Sequence, residues 1–221
     1  MDVHGGLEIG VNDMQCHLNL PISHLEKNTK DIQNAEVVLV DTNMNEDTVL
    51  LVLEKAINVK WTIVEPISAE KSKKILHKNI LPMISILKPN DDQLDDLFNL
   101  FSHKYNVDTS SLDREKMSQE EQFVFKAKVL FDISDRISEE YGCVNKLVYV
   151  LVTCGPRGIR LITRNPLKHY HLPVKKIDDV VSANGAGDTF LGAFISGLLH
   201  YGSQDELSRI SSAIRTASKC S

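Results

Sequence analysis

Short apolar runs recur along the chain, each closing on a polar residue, with stretches of helical spacing between them. Glu36-Val37-Val38-Leu39-Val40 runs into Asp41. Residues 46–58 follow, with Val49, Val52, Leu53, Ala56 and Ile57 at the spacing that predicts a helix. Trp61-Thr62-Ile63-Val64 is a second strand, closing on Glu65-Pro66. Residues 69–79 predict another helix, and residues 83–87 a third strand that closes on Lys88-Pro89-Asn90. This rhythm constrains the fold more than any other feature. Strands alternating with helices build βαβ units, and these give an α/β fold with a parallel sheet covered on both faces.

Residues 91–142 are helical in pattern and highly charged, with apolar Leu94, Leu97 and Phe98, then Phe123, Val124, Ala127 and Leu130. A polar break at 106–118 predicts a loop between two helices. Residues 147–153 form the clearest strand in the sequence. Gly155-Pro156-Arg157-Gly158 then reads as a turn, and 159–163 as the returning strand of a hairpin. Residues 173–179 read as an edge strand or loop. The segment 186–201 is apolar nearly all round, which predicts a buried helix, and 204–219 predict a last helix. No segment has the composition of a linker, so 1–221 reads as a single domain.

Composition narrows the function classes. Hydrophobic residues make up 42% of the 221 and charged residues 25%, which suits a folded globular chain rather than a disordered one. A net charge of −5 argues against a nucleic-acid partner, which needs a clustered basic face. No apolar run approaches the roughly 18 residues of a membrane span. The start, MDVHGGLEIG, has neither the basic nor the apolar region of a signal peptide. Cys16, Cys143, Cys154 and Cys220 contain no C-x-x-C pair and predict reduced thiols, which together with the missing signal point to the cytoplasm. The histidines show no metal-ligand spacing.

In an open parallel sheet, ligands bind beyond the carboxyl ends of the strands. Asp41 and Asn43, Glu65, Lys88 and Asn90, and Thr153 and Gly155 stand there. The sharpest local signal is Ser182-Ala183-Asn184-Gly185-Ala186-Gly187-Asp188-Thr189-Phe190, two glycines directly before a helix. Glycine permits a tight turn and close approach to a ligand. The first amides of a helix lack internal partners and sit at the positive end of its dipole, where a phosphate fits. Asp188, in the first turn, is placed to act as a general base or simply to favour the dipole. The residues alone leave both phosphate chemistry and a structural glycine turn open. A Walker A pattern, G-x-G-x-x-G after a strand, and the H-R-D and D-F-G sets are all absent.

Asn184-Gly185-Ala186-Gly187-Asp188-Thr189-Phe190 with Gly192-Ala193-Phe194 resembles the C-terminal signature of the PfkB, or ribokinase-like, carbohydrate and nucleoside kinases. Thr153-Cys154-Gly155-Pro156-Arg157-Gly158 is similar to their T-x-G-x-x-G nucleotide loop, and Lys88-Pro89-Asn90 to the strand end that precedes their N-x-x-E motif. Asp41-x-Asn43, Glu65-Pro66-Ile67-Ser68 and Asp13-Met14-Gln15-Cys16-His17 look most like the pseudouridine kinase branch. The resemblance implies a three-layer ribokinase-like, Rossmann-like fold with a mostly parallel central sheet. It implies ATP-dependent phosphoryl transfer to a primary hydroxyl of a nucleoside or sugar, most closely pseudouridine. Asp188 would take the hydroxyl proton, and both Asp188 and Asn43 would touch the substrate. The amides of Gly185, Ala186 and Gly187 would form the anion hole. Asn90, Thr153, Gly155, Gly158 and Asn184 would border the nucleotide. ATP and Mg²⁺ are the implied cofactors, with a monovalent cation as a further candidate and no metal ligand assigned.

Two departures from the family pattern stand out. The fourth position of N-x-x-E is Gln93, which carries no charge for a hydrated magnesium; Asp91 and Asp92 are the neighbouring acids. Nothing before Glu36 is long enough for the strands and lid that hold the sugar in that family. The expectation is therefore a kinase domain lacking its N-terminal strands, with an exposed sheet edge suited to a homodimer. The alternative expectation is a non-catalytic nucleotide-binding or interaction protein derived from such a kinase.

Overall fold

The computed structural model describes residues 15–112, 115–175, 184–201 and 205–220. The described residues divide into two compact units: 15–112, 115–154 and 160–171 in one, and 155–159, 172–175, 184–201 and 205–220 in the other.

The larger unit opens with three short helices, α1 (Gln15–Leu18), α2 (Ile22–Lys27) and α3 (Thr29–Asn34). Strand β1 (Val37–Asp41) follows, then α4 (Glu46–Lys55) and β2 (Trp61–Glu65). Asn45 starts α4 by accepting the Thr48 amide at 2.8 Å, and Glu46 and Asp47 favour the positive end of its dipole. Its apolar positions Val49, Val52 and Leu53 are buried. Next come α5 (Ala69–Ser72), a 3₁₀ turn (Lys73–Leu76), α6 (Ile80–Met83) and β3 (Ile86–Leu87). Helices α7 (Asp91–Lys104) and α8 (Gln119–Tyr141) precede β4 (Tyr149–Thr153), β5 (Ile159–Thr163) and β6 (Lys168–Leu172).

The strands lie in the order β1-β2-β3-β4-β5-β6, and β1/β2, β2/β3 and β3/β4 pair in parallel. Val38, Val40, Val64, Leu87, Val150 and Val152 share one core with α4, α6, α7 and α8. The alternate residues Ile63, Ile86 and Leu151 are buried too, so the central strands are apolar throughout, as a sheet covered on both faces requires. Leu39 on the outer strand β1 remains 43% exposed.

Strand β3 is short, and a hydroxyl pair extends its contact with β2. The Thr62 amide donates to Ser85 Oγ at 2.7 Å and Thr62 Oγ1 to the Met83 carbonyl at 2.7 Å. Ser85 Oγ donates to the Thr62 carbonyl at 3.0 Å, and all of these groups are buried.

The smaller unit holds α9 (Ala186–His200) and α10 (Glu206–Ala217). Phe190, Leu191, Phe194, Gly197 and Leu198 on α9 are buried, as are Ile210, Ala213, Ile214 and Ala217 on α10. Gly197 lets the two helices approach: a Cβ there would stand 2.7 Å from Ala213 Cα. Arg209 Nε donates to the Leu198 carbonyl, and Tyr201 Oη pairs with Thr216 Oγ1 at 3.0 Å.

Three expectations change. The single helix over 69–79 is instead α5 and a 3₁₀ turn, ended at Lys78 with φ of +44°. Lys78 lies in the left-handed region, which no α-helix passes through, so the chain turns there and α6 starts afresh at Ile80. The strand over 83–87 shrinks to Ile86–Leu87 because α6 takes Met83. Helix α9 buries one face only, leaving Leu199 46% exposed, because α10 packs along one stripe. Residues 173–179 read as an edge strand or loop: Pro173–Lys175 are loop, 176–179 fall outside the described residues, and the strand not foreseen before them is Lys168–Leu172. All four cysteines are free thiols. Among the described residues no helix is long and apolar enough to cross a membrane.

Candidate active site

Three strand-end loops of the larger unit are braced together. After β1, Asp41 accepts from the Asn43 amide at Oδ1 and from the Asn43 side chain at Oδ2, both at 2.8 Å. Lys71 Nζ donates to Asn43 Oδ1 at 2.6 Å. Both ends of the Asn43 amide are therefore engaged within the protein. Lys74 Nζ donates to the carbonyls of Thr42, Asn43 and Met44 at 2.8, 3.3 and 2.6 Å. Burial and the neighbouring Lys71 push the Lys74 pKa down, against the attraction of Asp41 and Glu46. The loop after β2 joins this one through the Ile67 amide, which donates to Thr42 Oγ1 at 3.1 Å. Beneath it, Lys88 and Glu65 form a buried ion pair, exposed by 3% and 13%.

The loop after β3 carries Asn90. Asn90 Oδ1 accepts the Gln93 amide at 2.8 Å, and Gln93 Oε1 accepts the Asn90 amide at 2.8 Å, a capping box that starts α7. Gln93 Nε2 donates onward to the Ile67 carbonyl at 3.1 Å. A glutamate could close the box but could not make this last bond, because a carboxylate has no donor. Asn90 and Thr153 meet in a parallel bridge, with the Thr153 amide donating to Pro89 O at 3.1 Å. These two expected nucleotide-site residues are thus side by side.

The Gln93 side chain brings no charge to a hydrated magnesium. Gln93 is neutral and held on both sides. Among the described residues no group of three or more His, Cys, Asp and Glu side chains could hold a metal.

In the smaller unit, Asn184 and Gly185 form the turn before α9. Gly185 is the N-cap at φ +78°, a left-handed conformation that only glycine adopts readily. It offers no side chain to the first-turn amides, while the Thr189 amide makes the first helical bond, to Gly185 O at 2.9 Å. Ala186, Gly187 and Asp188 are exposed at this end, so open amides and a carboxylate stand on one turn. Gly155 and Gly158 also have positive φ, +52° and +88°, and the Gly158 amide donates to Gly155 O at 3.1 Å. Ser182, Ala183 and Asp13 lie outside the described residues.

Sequence reasoning missed Lys71, Lys74 and the structural role of Gln93. The available signal was Ser68-x-x-Lys71-x-x-Lys74 directly after a strand end, since residues three apart share a helix face.

Residues 139–221 match the family model described as pfkB family carbohydrate kinase. The match covers the C-terminal part of the chain, from the end of α8 onward. It is 24% identical over 222 residues to a pseudouridine-metabolizing bifunctional protein of Schizosaccharomyces pombe, covering 87% of this chain and 29% of that protein. It is 32% identical over 90 residues to a pseudouridine kinase of Escherichia coli, covering 41% of this chain and 28% of that one. Among solved structures, ribokinase from Giardia lamblia superposes with a TM-score of 0.70 at 17% identity, covering 97% of this chain and 60% of that one. The chain therefore spans less than a third of these two curated relatives and about three fifths of the solved chain. The fold is the ribokinase-like three-layer α/β fold with a largely parallel sheet.

Proposed function

We propose that this chain is a PfkB-type kinase, which transfers the terminal phosphoryl group of ATP to a primary hydroxyl of a nucleoside or sugar, with pseudouridine as the favoured acceptor. The observation that carries the reading is the turn at Gly185: a left-handed glycine cap, open first-turn amides and the exposed Asp188 carboxylate together. Asp188 takes the hydroxyl proton as the new O–P bond forms and the bond to the departing ADP breaks. The amides of Gly185, Ala186 and Gly187 hold the charge on the moving phosphoryl group. By the family resemblance, Thr153, Gly155, Gly158, Asn184 and Asn90 would be the nucleotide-binding residues. By the same resemblance, Asn43 would contact the acceptor, which would require it to exchange its bond to Asp41 or Lys71. Magnesium enters as part of the nucleotide substrate. The names of the two curated relatives support pseudouridine as acceptor.

The test is incubation of the chain with Mg-ATP and pseudouridine, with uridine, adenosine and ribose in parallel, and detection of the monophosphate by mass. Product from pseudouridine that disappears in Asp188→Asn, with ATP binding retained, is the expected result. Turnover retained in that variant removes Asp188 from the base role. A second reading, nucleotide binding without transfer, is favoured by the neutral, doubly bonded Gln93; it predicts ATP binding and no product with any acceptor.

A further inference from the structure

The loop that leaves β1 turns three consecutive carbonyls toward one point. Thr42 O, Asn43 O and Met44 O stand 2.8, 3.3 and 2.6 Å from Lys74 Nζ. Carbonyl oxygens carry the negative ends of their dipoles, so three that converge repel one another unless a cation lies between them. An ammonium has three N–H donors and no acceptor, and here three acceptors receive it. Lys71 cannot take its place, because its ammonium is directed to the side chain of Asn43 at 2.6 Å. The curl is held from both sides. Asp41 fixes the Asn43 amide at 2.8 Å, and Asn45 begins α4 immediately afterwards.

We propose that the carbonyls of residues 42–44 form a monovalent-cation site whose resident cation is the ammonium of Lys74, and that a variant without this side chain binds potassium or a small alkylammonium there. Potassium and ammonium are close in size, and both accept a shell of carbonyl oxygens. Lys74 comes from the 3₁₀ turn after the second strand, so it ties that turn to the loop after the first. It is thereby a positioning residue for Asn43. The lowered pKa of Lys74, caused first by burial, agrees with a cation withdrawn from water. The inference stands on loop geometry and does not depend on the kinase reading.

The test follows amide exchange at Asn43 and Met44 in the intact chain, with Ile86 and Leu87 as remote controls. Lys74→Ala is expected to speed exchange at 43–44 by about tenfold or more while the controls hold. Potassium chloride or methylammonium chloride is expected to restore protection, and tetramethylammonium chloride at equal ionic strength is not, since its methyl groups shield the charge and offer no donor. Lys74→Met, which keeps the stem without a donor, is expected to lose the same protection and to gain little from either salt. Unchanged exchange at 43–44 in both variants overturns the proposal. Equal recovery in all three salts also overturns it, because it would mark a general ionic effect. An unfolded Lys74→Ala leaves Lys74→Met to decide: local loss supports the site, and no local change refutes it.

Discussion

Two glycines on α9 give a matched experiment on how closely the helix that carries Asp188 is held. Gly192 and Gly197 both sit in the helix, and replacing a helical glycine by alanine gains about 1 kcal/mol in backbone terms. A Cβ at Gly192 meets nothing within 4 Å, so Gly192→Ala should stabilise by about that amount. At Gly197 the added Cβ would stand 2.7 Å from Ala213 Cα and 2.9 Å from Ala213 Cβ. Backbone cannot rotate aside, so α9 and α10 must part by roughly 0.7 Å or more, and overpacking of this kind costs about 1–3 kcal/mol. With a backbone atom as the obstacle, the upper part of that range applies. The net expectation is destabilisation by about 1–2 kcal/mol, and a difference between the two variants of about 2–3 kcal/mol. Urea denaturation, with amide exchange along α9 and α10 to localise the change, measures both. A Gly197→Ala variant as stable as Gly192→Ala would refute the close approach on which the estimate rests.

Removing one member of the buried Lys88–Glu65 pair should be far worse than removing both. Lys88→Met is expected to destabilise by about 3–5 kcal/mol, and Lys88→Met with Glu65→Gln to recover most of it, in a double-mutant cycle by urea denaturation. Lys146 donates to the carbonyls of Ala56, Ile57 and Val59 at 3.4, 3.2 and 2.7 Å, and burial pushes its pKa below 10.5. The folded state then releases this proton before the unfolded state does, so unfolding free energy rises with pH between the lowered value and 10.5. Lys74 contributes with the same sign. Unfolding titrations from neutral to alkaline pH should show a shallower rise in Lys146→Met, and an unchanged slope would contradict the shift.

The β1–α4–β2 unit is legible in the sequence because period and punctuation agree there: Val38 and Val40 face inward, Asn45 caps, and Val49, Val52 and Leu53 follow at helical spacing. The division of 91–142 into two helices is legible for the same reason. Strand β6 is not, because Lys-His-Tyr-His-Leu at the sheet's edge leaves its lysine and one histidine exposed and lacks an apolar alternation. The break at Lys78 is hidden because the left-handed position holds a lysine rather than the glycine or asparagine that would announce it. At the site, Gly185 and Asp188 announce themselves through glycine spacing. The roles of Lys71, Lys74 and Gln93 arise only when separate loops meet, and a lysine on a short helix otherwise reads as a solvated charge.

The hydroxyls of Thr62 and Ser85 make a lock of two letters. A strand as short as Ile86–Leu87 has too few ladder bonds to choose its own alignment against β2, and every neighbouring side chain is a greasy shape that would slide one step with modest complaint. The paired hydroxyls do not slide, because a step of one residue would point both into hydrocarbon without a partner. Drift among apolar residues is therefore cheap around them, while positions 62 and 85 are bound to change together or stay. Their fidelity sets where Lys88 and Asn90 emerge at the end of the strand, and so two small buried groups decide where the loop that carries Asn90 begins.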